Sequence, residues 1–453
     1  MNAAAREHLA EPLGTTAGPQ RSGDRLVAQR AWFALVRGEP VPALTGSQWT
    51  LLGREARRHQ MSGYTWHVLS QDPDRHGAPA WLIERLRDVW IETSLRNAVL
   101  FRQTAHMTRR LAEHEIPVML LKGAHLARFT YADAGMRNMA DVDLMVPRER
   151  LADAERVFLS EGYGPTPRPN IEQFCSWSNH LAKLRKPGSP EVEIHWGLER
   201  PTSPFRIDIE GLWARSRAAE LEDVPVRLLS VEDLLLHLTL HVSYHHGFQR
   251  SAVKGLVDVH VVVARHAPDI DWSLLTERSR EWDAGSFLYA TLCLSTQILG
   301  TPVPQNVLAR LPHDPEDDAV VEIARHYVLG DVERVPGVYV RLARSRSLRA
   351  RISLMLRHLF LPRATMERIY RLRDGTALWP YYLHRLGSLL FRRGRLLVRA
   401  LCRTPAVRST VIREDERVRI QRWAGYDPLR DDEEPASPPP FGDARAEVAW
   451  FRT

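Results

Sequence analysis

VMLLKGAHLARFTYADAGMRNMADVDLMV, residues 118–146, reads as two apolar strands joined by a helical connection. Val118 to Leu121 is the first strand. Lys122-Gly123 is a turn, Leu126 and Phe129 ride on a short helix, and a loop with Gly135 and Arg137 leads to the second strand. In Asp141-Val142-Asp143 the period of two puts both carboxylates on one face, while Val142 and Leu144 go to the other face and into a core. Carboxylates that close repel each other, so the pair calls for a shared proton or a divalent cation.

The rest of the pattern favours the cation. Gly123 sits at a strand-to-helix junction, where a missing side chain admits a phosphate and the first helical N–H groups point at it. A phosphate cradle facing an acidic pair is the layout of Mg-dependent phosphoryl or nucleotidyl transfer. The Walker arrangement is excluded, because no Gly-Lys-Ser/Thr follows a glycine-rich loop.

The 453 residues suffice for two or three domains, and a hydrophobic share of 44% with 26% charged residues is that of a globular chain. No stretch approaches the roughly 18 consecutive apolar residues of a membrane span, and the first residues lack a secretory h-region. Cys175, Cys293 and Cys402 are far apart, which argues against a disulfide framework and for a reducing cytoplasm. The net charge of +7 is unevenly placed: between Arg341 and Arg403 there are sixteen arginines against Glu367 and Asp374. That segment suits a nucleic acid or another polyanion, or it is a set of solvated helix faces in an arginine-rich chain.

Reading outward, residues 1–24 form an aperiodic, disordered leader, and 25–115 a helical lead-in packed on the core, with one long helix over 79–113. The catalytic core spans 116–228. Within it 150–161 is an amphipathic helix stopped at Gly162, and two strands, 180–186 and 191–196, form a hairpin about Pro187-Gly188. Ser230-x-x-Asp233 caps the first helix of a helical domain, 229–330. A basic helical region, 331–426, and an acidic, proline-rich disordered tail, 427–453, complete the chain.

Glu193 is the candidate third metal ligand, with Glu191 as competitor because the pleat puts both on one face. Lys122 and Arg137 either clamp phosphate or make ion pairs with Asp133 or Asp141. His195 either orients a ligand or acceptor or is a satisfied buried histidine. His237, His241 and His245 recur at helical spacing. Three such rings on a straight helix spread too far for one ion, although two with a distant acid would serve; packing or phosphate contact is the plainer role. Asp258 reads as buried helix pairing, and the aromatic residues of WPYYLHRL as core.

LLKGAHLARFTYADAGMRNMADVDLMVP, then an amphipathic helix, Gly-Tyr and VEIHW, resembles the uncharacterised nucleotidyltransferase family often found beside bacterial peptide natural-product genes, within the polymerase-beta-like superfamily. The resemblance implies an α+β fold: a small mixed β-sheet core flanked by helices, with a large helical C-terminal domain. It implies Gly123 opening the phosphate-binding helix, Asp141 and Asp143 as paired ligands of two Mg²⁺ ions, and Glu193 as third carboxylate. Where the wider superfamily has Ser or Gly, Ala124 stands, so a hydroxyl toward the terminal phosphate is missing. The implied reaction moves a nucleoside monophosphate from an NTP, such as ATP, to an acceptor hydroxyl of a small molecule or peptide. An RNA or protein acceptor, and a non-catalytic NTP-binding scaffold, are the alternatives. His195 and His241 are accessory site candidates.

Overall fold

The computed structural model describes residues 19–165, 171–249 and 252–329, with scattered positions in 347–387 and 415–425. The chain divides into two compact units, Met1–Leu329 and Gly330–Thr453.

The lead-in comprises α1 (Pro19–Val36), α2 (Gly46–Arg58), α3 (Ser62–Gln71) and α4 (Ala80–Ala112). Helix α1 starts inside the segment read as leader; Pro19 is accommodated because a first-turn residue has no N–H bond to lose. The Trp32 indole is fully buried and donates to Thr65 Oγ1 at 2.9 Å, which ties α1 to α3. On α4, Thr93, Asn97, Leu100, Thr104, Thr108 and Leu111 are buried at helical spacing, so one stripe of a 33-residue helix faces inward.

Among the described residues seven strands follow: β1 (Met119–Leu120), β2 (Asp141–Met145), β3 (Gly164–Pro165), β4 (Leu184–Arg185), β5 (Glu191–His195), β6 (Arg217–Leu221) and β7 (Val224–Leu228). Their order is β3-β4-β5-β2-β1-β7-β6. β1 runs antiparallel to β2 and parallel to β7, and β2 runs parallel to β5, so the sheet is mixed. Val142, Leu144, Val192 and Ile194 carry one face into the core, as the period of two requires. The hairpin is present but frayed. Its first strand is reduced to Leu184–Arg185, with a separate bridge between His180 and His195. Helix α5 (Leu151–Ser160) covers the sheet and ends at Gly162, whose φ of 83° only glycine adopts cheaply.

From β7 to Leu329 the described residues are mainly helical: α6 (Val231–Leu240), α7 (Ala252–His266), α8 (Trp272–Glu281), α9 (Gly285–Leu299) and α10 (Pro315–Leu329). These helices lie in the same compact unit as the sheet, Met1–Leu329. The reason lies in α6, every residue of which is buried. A helix enclosed on all sides is the axle of a domain, not its rim. Ser230 Oγ accepts from the Asp233 N–H, and the Asp233 carboxylate is gripped by Arg215 at 2.7 Å and Arg278 at 2.9 Å.

The arginine-rich helices expected over 337–373 and 380–401, and the tail from 427, lie largely outside the described residues. Among the described residues no helix is long and apolar enough to cross a membrane.

Candidate active site

The parallel pairing of β2 with β5 sets Asp141 beside Glu191 and Asp143 beside Glu193. Side chains opposite one another in a ladder point to the same face, so four carboxylates share one corner of the sheet. They divide by environment. Glu191 is half-exposed and held by Arg185 at 2.8 Å and Lys183 at 3.6 Å. Asp143 and Glu193 are recessed, with side chains 9% and 13% exposed.

His195 lies between these two, its Nε2 3.2 Å from Asp143 Oδ1 and 3.5 Å from Glu193 Oε2. Asp143, Glu193 and His195 are the group of metal-type ligands among the described residues whose donor atoms come within 4.8 Å of one another. Asp141 is not in it. Sequence reasoning paired Asp141 with Asp143; the structure brings His195 into the closer set.

Charge is distributed accordingly. Burial pushes the Asp143 carboxyl up, but the Lys122 ammonium 3.8 Å away and the His195 hydrogen bond outweigh it and hold the group ionised well below the carboxylate range. Burial likewise opposes ionisation of Glu193, yet the His195 bond brings it down to about 2. Burial, followed by the neighbouring charges of Asp143 and Glu193, raises Asp141. Burial lowers His195, and its two carboxylate bonds more than compensate, so the imidazolium is favoured. Lys183 Nζ, 2.9 Å from Glu193 Oε1, closes the far side. Sequence reading passed over Lys183, although the alternation of HLAKLRK puts it opposite the buried Leu184.

Lys122 occupies the junction with φ +34°, a region a side chain enters at a cost. Next to it, a Cβ on Gly123 would stand 3.3 Å from Arg137 Nη1 and 3.4 Å from Met139 Sδ, so the space over this glycine is closely approached by the loop before β2. Ala124 is buried in the core, leaving only its backbone N–H to offer a ligand.

The Arg137 guanidinium makes a two-pronged contact, but not to Asp133 or Asp141. Its Nε and Nη2 donate to the Asp258 carboxylate on α7 at 2.8 and 2.9 Å, and the Tyr131 hydroxyl donates to the same group at 2.7 Å. Asp133 instead accepts from the Trp90 indole and caps the Gly135 N–H. Lys254, also on α7, donates to the Asn138 carbonyl at 2.6 Å, and Asn97 on α4 donates to the carbonyls of Ala134 and Arg137. Helices from both ends of the unit thus fix the loop that aims Arg137 Nη1 at Gly123.

Beyond Leu240, α6 continues as a π turn, His241–His245. His237 is buried, His241 and His246 face each other with Nε2 atoms 3.2 Å apart, and His245 Nε2 lies 2.8 Å from Glu199 Oε1. The i, i+4 spacing pointed to His237, His241 and His245 but not to His246 or Glu199.

A mixed sheet that aligns carboxylates of adjacent strands beside a lysine-glycine turn is the arrangement expected of a nucleotidyltransferase core. The chain belongs to the family described as uncharacterised nucleotidyltransferases, whose pattern matches residues 45–300. Among solved structures it is similar to an antigenic nucleotidyltransferase-like protein from Paracoccidioides brasiliensis, at 17% identity and a TM-score of 0.30, over 48% of this chain and 95% of that one. No curated protein matches it.

Proposed function

We propose that this chain transfers a nucleoside monophosphate from an NTP to the hydroxyl of a small molecule or peptide, with release of pyrophosphate. The observation that carries the reading is the Asp143–Glu193 register pair: two recessed, ionised carboxylates on neighbouring strands beside an ammonium group. Hard oxygen donors in this number suit Mg²⁺, and Asp141, Asp143 and Glu193 would hold two ions. When bound, such ions polarise phosphate oxygens and lower the pKa of the attacking hydroxyl.

The chain's own groups have the remaining roles. Lys122 Nζ, 3.8 Å from Asp143, and Arg137 Nη1, which approaches Gly123, neutralise charge on the triphosphate. With Asp258 occupying its other nitrogens, Arg137 is held rigid, so its free edge costs little entropy to use. Glu193, at about 2, stays ionised throughout and is suited to hold a cation rather than to accept a proton. Lys183 fixes its rotamer.

The test is pyrophosphate release from ATP, GTP, CTP and UTP with Mg²⁺, using a cell extract as acceptor pool. Asp143→Asn is expected to lower turnover at least about a hundredfold, since it removes a transition-state charge partner. Equal turnover by the variant and the wild type sinks the reading. Tight NTP binding with no release across varied acceptors points to the non-catalytic alternative, consistent with the buried Ala124.

A further inference from the structure

The two recessed carboxylates of the β2–β5 corner use their oxygens differently. One oxygen of each is held by a lysine: Asp143 Oδ2 lies 3.8 Å from Lys122 Nζ, and Glu193 Oε1 2.9 Å from Lys183 Nζ. The other oxygen of each faces the buried His195 ring, Asp143 Oδ1 at 3.2 Å and Glu193 Oε2 at 3.5 Å from Nε2. Backbone geometry fixes this convergence. Glu193 and His195 are two apart on β5 and share a face, and Asp143 stands opposite Glu193 on β2.

Two occupants compete for the gap between these three atoms, a proton on Nε2 and a metal ion. One N–H serves Asp143 Oδ1, but Glu193 Oε2 at 3.5 Å is beyond a good hydrogen bond. His180 does not make up the difference: its Nδ1 is 3.9 Å from that oxygen and bonds the Leu181 carbonyl at 2.8 Å. A metal ion engages all three donors at once. Ligands about 2.0 to 2.2 Å from a common ion stand about 3.0 to 3.6 Å apart at octahedral or tetrahedral angles. Both Nε2 contacts fall in that interval, and the three donor atoms lie within 4.8 Å of one another.

The nitrogen decides which ion. Mg²⁺ takes an all-oxygen shell, whereas imidazole beside carboxylates shifts the preference toward Zn²⁺ and its neighbours in the transition series.

We propose that His195 Nε2, Asp143 Oδ1 and Glu193 Oε2 are direct ligands of a zinc-type transition-metal ion, so that one cation position of the transfer site selects such an ion over Mg²⁺. This rests on the nucleotidyl-transfer reading. The other position, at Asp141 and the nucleotide phosphates, keeps an oxygen shell suited to Mg²⁺. His195 Nδ1 is buried without a hydrogen-bond partner among the described residues, so no acceptor presets the tautomer that frees Nε2. The ion itself displaces the proton there, and binding releases it.

The experiment is calorimetric titration of the metal-stripped, tag-free full chain with Zn²⁺ and with Mg²⁺, without nucleotide. Zn²⁺ is expected to fill one site at least about tenfold more tightly than Mg²⁺. His195→Gln weakens Zn²⁺ binding about ten- to a hundredfold and narrows that preference, while His180→Gln binds Zn²⁺ as wild type does. Thermal unfolding identifies a variant that misfolds. X-ray absorption of the equimolar zinc complex of wild type, which needs no variant, is expected to show one imidazole among oxygen ligands. A wild-type chain that binds no Zn²⁺ or binds Mg²⁺ equally well, a folded His195→Gln that keeps wild-type Zn²⁺ affinity, or a zinc shell without imidazole overturns the proposal. Zn²⁺ binding lost in His246→Ala but kept in His195→Gln does so too, by assigning the metal to the histidine pair of the π turn. Asp143-dependent pyrophosphate release with no nitrogen-bound metal removes this proposal alone; a His195-dependent zinc site with no release from any NTP removes the transfer reading alone.

Discussion

Arg137 joins the scaffold to the proposed chemistry. Two of its nitrogens are bound to Asp258 in a site where the aspartate is 2% exposed, and the third faces Gly123. Removing the arginine leaves a buried, uncompensated carboxylate, so Arg137→Ala is expected to cost about 3 to 5 kcal/mol in urea unfolding. An Arg137→Met/Asp258→Leu double variant should recover most of that, because the desolvation penalty goes with the pair. Recovery of stability without recovery of turnover would separate the arginine's two roles. Lys254 gives a second, pH-based test. Burial, then the Arg137 charge, lowers its ammonium to about 8, against 10.5 for the ordinary side chain. The folded state therefore binds fewer protons than the unfolded between those values, and stability rises with pH across that window. The slope from this one group is at most about 1.4 kcal/mol per pH unit, and it should vanish in Lys254→Met. An unchanged slope in that variant removes Lys254 as its source.

At the scale of elements, the site depends on the loop before β2, and that loop is seated by a glycine-glycine crossing. A Cβ on Gly63 of α3 would lie 1.9 Å from the Gly135 carbonyl oxygen, so the helix and the loop touch backbone to backbone. Gly63→Ala must displace the loop that aims Arg137; a loss of about 1 to 3 kcal/mol, as for other overpacked contacts, is expected by thermal unfolding. Turnover should fall with it, and a variant of wild-type stability would show the crossing to be slack. The same elements show what a sequence can and cannot reveal. Strands β2 and β5 were legible because the period of two separates Val142 and Leu144, or Val192 and Ile194, from the acids, and that alternation needs no tertiary knowledge. The convergence of Asp143 with Glu193 follows from register, which alternation limits but does not choose. Asp258 as the partner of Arg137 could not be read at all, since the two are 121 positions apart and meet only through α7 packing on the loop. The π turn was hidden for a different reason: the switch from i→i+4 to i→i+5 bonding is a backbone choice made by packing, and no residue type in HVSYH demands it.

For the molecule as a whole, the sheet, its helices and every candidate site residue lie within Met1–Leu329, and the family match at 45–300 falls inside the same unit. The sixteen arginines between Arg341 and Arg403 belong to the other. This division separates the acceptor hypotheses. If the acceptor is a small molecule or peptide, the acidic corner of the sheet and the phosphate-facing lysine suffice, and a chain ending at Leu329 should turn over NTP within about threefold of full length, the difference expected of an independent unit. Its kcat/KM should change little between 50 and 200 mM salt, because few ion pairs to the acceptor are broken. A polyanionic acceptor such as RNA behaves otherwise. Each phosphate neutralised by arginine releases a counterion, so log affinity falls with log salt by about 0.7 per contact on a single strand. A full-length slope steeper than about −3 that disappears on truncation at Leu329 would assign acceptor recognition to the arginine-rich unit, while the Asp143-dependent chemistry stays where the sheet places it.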